Sequence, residues 1–318
     1  MKAVFLDFAT LGPAELDASA LAEVLPEVCF FDSTEPRLTA ERIEDAEFVL
    51  TNKTRLDERV LSTAKSLRYI GLTATGTDNV DLPSARRLGI AVTNIRAYCT
   101  RSVVEHVFGV LLALAHNLGR YQRAVRAGDW RRSTEFCLLE YPIRELSAMT
   151  LGLVGYGELG RGVAEVARAF GMTTLIARRR GAPAADDGRI DFPELLKRSD
   201  IVSLHCPLTP ETKNLMGAPE FGLMKPRAFL VNTARGGLVD SAALVDALKK
   251  GSLAGAAIDV LREEPPAHGD PLLDYDGDNL ILTPHIAWAT VEARQNALDE
   301  LAANVASFLE GGNRNRVV

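Results

Sequence analysis

Cysteine is scarce in this chain. There are four in 318 residues, Cys29, Cys99, Cys137 and Cys206, with neither a C-x-x-C pair nor a zinc-ligand spacing. That excludes a disulfide framework or a cysteine metal site and fits reduced thiols in a cytosolic protein. A surplus of basic charge is missing too. Lys and Arg total 36 against 42 Asp and Glu, a net charge of -6, which argues against a surface for nucleic acid or for an anionic membrane. No window holds about 18 uninterrupted apolar residues, so no membrane span is expected. The start, Met1-Lys2-Ala3-Val4-Phe5-Leu6-Asp7, lacks the apolar core and cleavage site of a secretory signal and reads as a first strand. Short repeats and low-complexity tracts are absent as well. These absences predict a cytoplasmic globular protein with neither nucleic acid nor membrane as partner.

What is present is an alternation. A chain of this length suggests two domains, each able to bury a core. In residues 1–98, the apolar runs at residues 4–6, 28–31, 48–50, 69–72 and 90–92 read as strands. The periodic stretches at residues 15–25, 39–45, 57–64 and 82–88 read as helices between them. Strands separated by helices imply a parallel sheet covered on both faces. A strongly apolar stretch, Ser102 to Asn117, then reads as a buried helix packed on the other domain and on a second subunit. Its His106 and His116 are ten apart, without an acid at ligand spacing, and read as structural. Residues 126–146, with Trp130, Phe136, Tyr141 and Pro142, read as an irregular connector. The alternation resumes at Thr150, with strands expected at residues 151–154, 174–177, 201–205, 229–232, 256–260 and 280–283. A long amphipathic helix over residues 291–309 closes the chain, and the tail from Gly311 is expected to fray.

The first strand of the second set runs into Gly155-Tyr156-Gly157-Glu158-Leu159-Gly160 and then into a helical pattern. In that context Gly155 serves the tight turn, Gly157 lets backbone approach a pyrophosphate, and Gly160 lets helix and strand pack closely. Helix N–H groups and the positive end of the helix dipole would face the phosphates. The expected fold is therefore α/β, with two doubly wound parallel-sheet domains: a Rossmann coenzyme domain from Thr150 and a smaller, flavodoxin-like domain before it. Where an NAD enzyme needs an acid for the ribose 2′-OH, the next strand ends in Arg178-Arg179-Arg180. Guanidinium groups bind a 2′-phosphate that a carboxylate would repel. The expectation is NADP(H) preferred over NAD(H), the alternative being a solvated charge run.

Candidate chemistry lies just past strand ends. Arg235 follows one strand of the second sheet, Asp259 and Glu264 the next, and His285 the last. An imidazole with a carboxylate beside it is a tuned acid/base, because the negative charge stabilises imidazolium. In the first sheet, Thr51-Asn52-Lys53-Thr54 and Thr73-Ala74-Thr75-Gly76-Thr77-Asp78 follow neighbouring runs. Thr75 and Gly76 could offer N–H groups to a small carboxylate and Lys53 a positive charge. Equally, Gly76 and Asp78 could simply build a turn, and Lys53 could be a solvated surface lysine.

Over essentially its whole length the sequence resembles the D-isomer-specific 2-hydroxyacid dehydrogenases. The resemblance is carried by residues 74–81, the Gly155 fingerprint, and residues 203–212, 231–240, 257–265 and 283–288. Residues 136–146 and Thr51-Asn52-Lys53 look most like the glycerate dehydrogenase (hydroxypyruvate reductase) branch. The resemblance implies a substrate-binding domain of residues 1–98 and 287–318 around a coenzyme domain of residues 99–286. It implies that Arg235 holds the substrate carboxylate, that His285 exchanges a proton with the keto oxygen, and that Glu264 orients His285. It implies that Thr75 and Gly76 bind that carboxylate through backbone N–H groups, with Lys53 the added candidate from the neighbouring loop. The fingerprint residues, Arg178, Arg179, His205, Pro207, Thr212, Thr233, Ala234 and Asp259 would line the coenzyme, with no metal. Members are typically homodimers joined through the region matching residues 102–146. The activity so implied is hydride transfer between NAD(P)H and a small 2-keto acid to give a D-2-hydroxy acid, with hydroxypyruvate or glyoxylate as the first choice. Alternatives are another 2-keto acid, phosphite, or a nucleotide-sensing binding protein like the co-repressors built on this fold.

Overall fold

In residues 1–99 the short apolar runs form β1 (Ala3–Phe5), β2 (Val28–Phe30), β3 (Phe48–Thr51), β4 (Tyr69–Leu72) and β5 (Ala91–Thr93). The second set forms β6 (Thr150–Val154), β7 (Thr173–Ile176), β8 (Ile201–Leu204), β9 (Phe229–Asn232), β10 (Gly255–Ile258) and β11 (Leu280–Leu282). This computed structural model describes residues 1–179, 181 and 188–318; Arg180 lies outside the described residues. The chain divides into two units, Met1–Cys99 with Trp288–Val318, and Thr100–Ala287.

The first unit is a parallel sheet of order β2-β1-β3-β4-β5. Successive side chains of a strand point to opposite faces, and here both faces are buried. Phe5, Phe48, Leu50 and Tyr69 share one core with Leu298, Leu301 and Val305 of the closing helix, Val291–Leu309. Val4, Leu6, Val49, Ile70 and Val92 form the other with Ile43, Leu56 and Leu61. Gly71 makes the helix contact possible, since a Cβ there would meet Leu301 Cδ1 at 2.6 Å. Two expectations need correction. The helix expected over residues 15–25 is shorter, Ser19–Val24, because Leu16 is extended (φ -114°, ψ 148°) after the turn Pro13–Glu15; the Asp17 carboxylate accepts the Ser19 N–H at 2.9 Å just before the helix. The tail does not fray. β5 is an edge strand, and the chain end pairs with it, Arg316 bridging Thr93 antiparallel and Val317 N–H bonding Val92 O at 2.8 Å.

The second unit is a parallel sheet of order β11-β10-β9-β8-β6-β7. Beyond β7 a single parallel bridge joins Ala177 to Ile190. Sequence order reverses between β6 and β8, and ligands of open α/β sheets lie outside the strand ends at such a switch point. The apolar helix is Thr100–Ala115. Its own unit supplies packing partners. Gly162 of the Glu158–Ala169 helix lies against Val104, and Phe108 stacks on Phe170 at 5.2 Å. The stretch expected to be an irregular connector includes the end of the helix Leu118–Ala127 and a short helix, Asp129–Arg132, that carries Trp130. Among the described residues no single helix is long and apolar enough to cross a membrane.

Candidate functional site

β9, β10 and β11 are parallel neighbours, so the loops leaving them gather at one edge of the sheet. His285 and Glu264 meet there, with His285 Nδ1 2.6 Å from Glu264 Oε2. Glu264 Oε1 accepts the Leu261 N–H at 2.8 Å, which fixes the carboxylate from its own loop. His285 has φ 57°, a left-handed conformation costing roughly 1–3 kcal/mol in a residue other than glycine. Asp259 holds that conformation in place. It is buried, and its carboxylate accepts the Ile286 and Ala287 N–H groups, each at 2.9 Å, and the Thr283 hydroxyl at 2.6 Å. Its carbonyl accepts the His285 N–H at 2.8 Å. A cavity of about 460 Å³, walled by Leu261, Pro265 and Leu282, opens onto Asp259, Glu264, Thr283 and His285.

Arg235 sits on the adjacent loop, partly buried. Asn232, fully buried, sets that loop: its amide donates to Arg235 O at 3.0 Å and its carbonyl oxygen accepts the Ala234 N–H at 3.1 Å. A Cβ on Gly236 would collide with the Leu261 backbone, so glycine lets the Arg235 loop rest on the loop that carries Glu264.

At the switch point the residues fit a dinucleotide. Gly155 has φ 97°, and a Cβ there would meet the His205 carbonyl at 2.5 Å. Beside Gly157 the space is open, and the helix Glu158–Ala169 has no side-chain cap at its start, so its N–H groups suit phosphate oxygens. Two buried polar atoms there, His205 Nδ1 and Thr233 Oγ1, have no hydrogen-bond partner among the described residues. The Ser203 hydroxyl meets His205 Nε2 at 2.8 Å, and burial lowers the imidazole from the ordinary 6.5 to about 4. The ring is therefore neutral at neutral pH. The Thr212 hydroxyl bonds Pro207 O at 2.8 Å and closes the next loop. The Thr100 hydroxyl holds the Glu158 carboxylate. Arg178 and Arg179 line a second cavity, of about 230 Å³, with Asp191 and Glu220. Arg178 is committed there to the Asp191 carboxylate at 2.7 Å and to Arg189 O at 2.9 Å. Among the described residues no cluster of His, Cys, Asp or Glu is placed to hold a metal ion.

In the first unit the two expected loops leave the paired strands β3 and β4 side by side. Thr73 N–H bonds Thr51 O at 3.1 Å, and the Asn79 amide bonds Thr54 O at 3.0 Å. Lys53 and Thr75 are exposed there and Gly76 half-buried. Asn94 holds the second loop through Thr75 O at 2.7 Å, and the closing helix holds Asn94 through Asn304. Asp7, Asn94 and Asn232 were not singled out from the sequence; a polar residue within an apolar strand pattern, or directly after one, was the available signal.

The family described as "D-isomer specific 2-hydroxyacid dehydrogenase, NAD binding domain" matches residues 108–287. The chain is 43% identical to the glycerate dehydrogenase of Methylorubrum extorquens over 99% of its length and 98% of that protein's. It is 36% identical to a hydroxypyruvate reductase of Blautia hydrogenotrophica over 100% of this chain and 99% of that one. Among solved structures, an acyclic imino acid reductase in complex with NADPH and D-Arg is 28% identical with a TM-score of 0.86, covering 100% of both chains. With the switch-point cradle and the histidine–carboxylate pair, these matches make the chain a member of the D-isomer-specific 2-hydroxyacid dehydrogenase family, a nicotinamide-dependent oxidoreductase.

Proposed function

We propose that the protein reduces hydroxypyruvate and glyoxylate with NADPH, in the manner of a D-glycerate dehydrogenase. The observation that carries the reading is the 2.6 Å contact between His285 Nδ1 and Glu264. With that nitrogen held, the ring presents its Nε2 to a substrate. The bound nicotinamide supplies the hydride. As charge develops on the keto oxygen, His285 Nε2 delivers a proton to it. Glu264 keeps the ring oriented, and Arg235 holds the carboxylate and polarises the carbonyl. Lys53, Thr75 and Gly76 are the first unit's candidates for binding a carboxylate. The test is a turnover panel of hydroxypyruvate, glyoxylate, pyruvate, 2-ketobutyrate and phenylpyruvate, with phosphite and NAD in the oxidising direction. The highest kcat/KM is expected for the first two. A larger value for another member reassigns the substrate, and no turnover at all would favour a nucleotide-sensing protein.

Coenzyme preference rests on the two guanidinium groups at the end of β7. Arg179 also acts on the loop after β8: the Glu211 carboxyl is held below its usual value by the Thr209 hydroxyl first and by the Arg179 charge among the lesser causes. Replacing Arg179 with Ala should raise KM for NADPH about tenfold, the worth of one charge-assisted hydrogen bond, and leave KM for NADH nearly unchanged. Tighter use of NADH by the unaltered protein would assign Asp191 to the ribose hydroxyl instead. A homodimer belongs to the same reading, supported by Phe136 and Leu139, which are 89% and 78% exposed and form the kind of apolar surface that marks an interface. Light scattering should give twice the chain mass.

A further inference from the structure

The first unit contains a buried carboxylate that the chemistry above does not use. Asp7 lies just past β1, 5% exposed. Its Oδ1 accepts the Asn52 N–H at 2.8 Å, and its Oδ2 accepts the N–H groups of Lys53 at 2.6 Å and Thr54 at 2.8 Å. The hydroxyls of Thr51 and Thr54 reach Oδ2 at 3.0 and 3.1 Å. Three successive backbone amides thus converge on one side chain. Such a run of N–H groups forms a concavity suited to an anion, and here the protein fills it with its own. The Asp7 side of the contact is braced as well. The Thr10 hydroxyl bonds Asp7 O at 2.7 Å and receives the Asn52 amide at 3.0 Å.

We propose that Asp7 is a positioning residue for substrate binding, fixing the Thr51–Thr54 turn so that Lys53 is presented to the carboxylate of the 2-keto acid. The proposal rests on the substrate reading given above for Lys53. The turn carries no glycine and is the next loop along the sheet from the one bearing Thr75 and Gly76. What fixes it is the charge on Asp7. A carboxylate accepts at both oxygens, whereas an amide in its place would turn a donor toward at least one backbone N–H. The neutral substitute therefore loosens the turn while keeping the volume. Lys53 is a point charge on a flexible stem, so the backbone is where its position is controlled.

The test measures KM for glyoxylate and hydroxypyruvate, kcat, and KM for the coenzyme, in Lys53→Met, Asp7→Asn and the double variant. Lys53→Met should raise KM for the keto acid about tenfold or more, in the range of one charge-assisted hydrogen bond, with kcat and coenzyme KM changed less than about twofold. Asp7→Asn should give the same pattern, and should add nothing further in the Lys53→Met background. If Lys53→Met raises KM and Asp7→Asn does not, the positioning role is overturned alone. An equal rise from Asp7→Asn with and without Lys53 overturns it too, since the effect then bypasses the lysine. An unchanged KM in Lys53→Met overturns the substrate reading and this proposal with it. Should Asp7→Asn fail to fold, Thr54→Val removes one hydroxyl bond to Asp7. Its expected outcome is a KM rise of about twofold or more that vanishes in the Lys53→Met background; no rise in KM, or one that persists there, overturns the role.

Discussion

Each of the two units holds a candidate functional loop at a strand end with a buried aspartate, but the two are held in different ways. Asp7 takes three consecutive amides of the turn it anchors and leaves the Lys53 side chain exposed. Asp259 takes the amides of Ile286 and Ala287 and the Thr283 hydroxyl, and within that span His285 stands at φ 57° with its ring bonded to Glu264. The contrast follows from what each loop presents. An ammonium is a compact charge with three equivalent donors, so a fixed backbone is enough. A proton donor has to face its acceptor with one particular nitrogen, so the ring needs a second partner to set its direction. Locking direction as well as position carries a backbone cost, visible in the positive φ.

This comparison is sharpest at His285. Replacing it with Ala should lower kcat at least about 10²-fold, the usual range for a lost general acid, with coenzyme KM unchanged. A smaller loss would reduce the second unit's loop to the first one's role, simple binding. Asp259→Asn should come next. It leaves backbone donors beside an amide, and we expect kcat to fall about tenfold, where Asp7→Asn raises KM instead. If Asp259→Asn altered only KM, the two aspartates would be doing the same work and the contrast would fail. Glu264→Gln keeps the shape and removes the charge. An amide there can turn a donor toward Nδ1, so the ring loses the partner that orients it and kcat should fall about tenfold with coenzyme KM unchanged. A kcat that stays in place would remove Glu264 from the pair.

Much of this was legible in the sequence. The apolar runs marked both sheets, because strands buried on both faces need no alternation to be seen. Gly155, Arg235, Glu264 and His285 could be placed at strand ends by counting, since a parallel sheet gathers its carboxyl ends on one edge. What could not be read were the partners that fix these groups. Asp7 acts across 45 to 47 residues of chain on Asn52 and Thr54, and Asp259 across 28 on Ala287; neither separation has a periodicity. The Arg178–Arg179 pair reads as a phosphate site; what spacing does not encode is the backbone return at Ile190 that brings Asp191 to Arg178. The paired tail was missed for a similar reason: Gly311-Gly312-Asn313 reads as loose, and only the edge of β5 gives Val317 something to bond.

The smallest expected effect separates the units by acid stability. All five histidines, at 106, 116, 205, 268 and 285, lie in the second unit and none in the first. His205 is the one whose burial lowers it from 6.5 to about 4. Between those values the unfolded chain binds a proton that the folded protein refuses, so stability falls as pH drops from about 6.5 to about 4 and this loss stops once both states are protonated. Denaturant unfolding of the apo protein at pH 7 and pH 5, followed separately through Trp130 in the second unit and Trp288 in the first, should therefore show the second unit losing more. His205→Gln should remove most of that difference without changing the first unit. Equal acid sensitivity in the variant and the unaltered protein would mean that the buried imidazole is not its source.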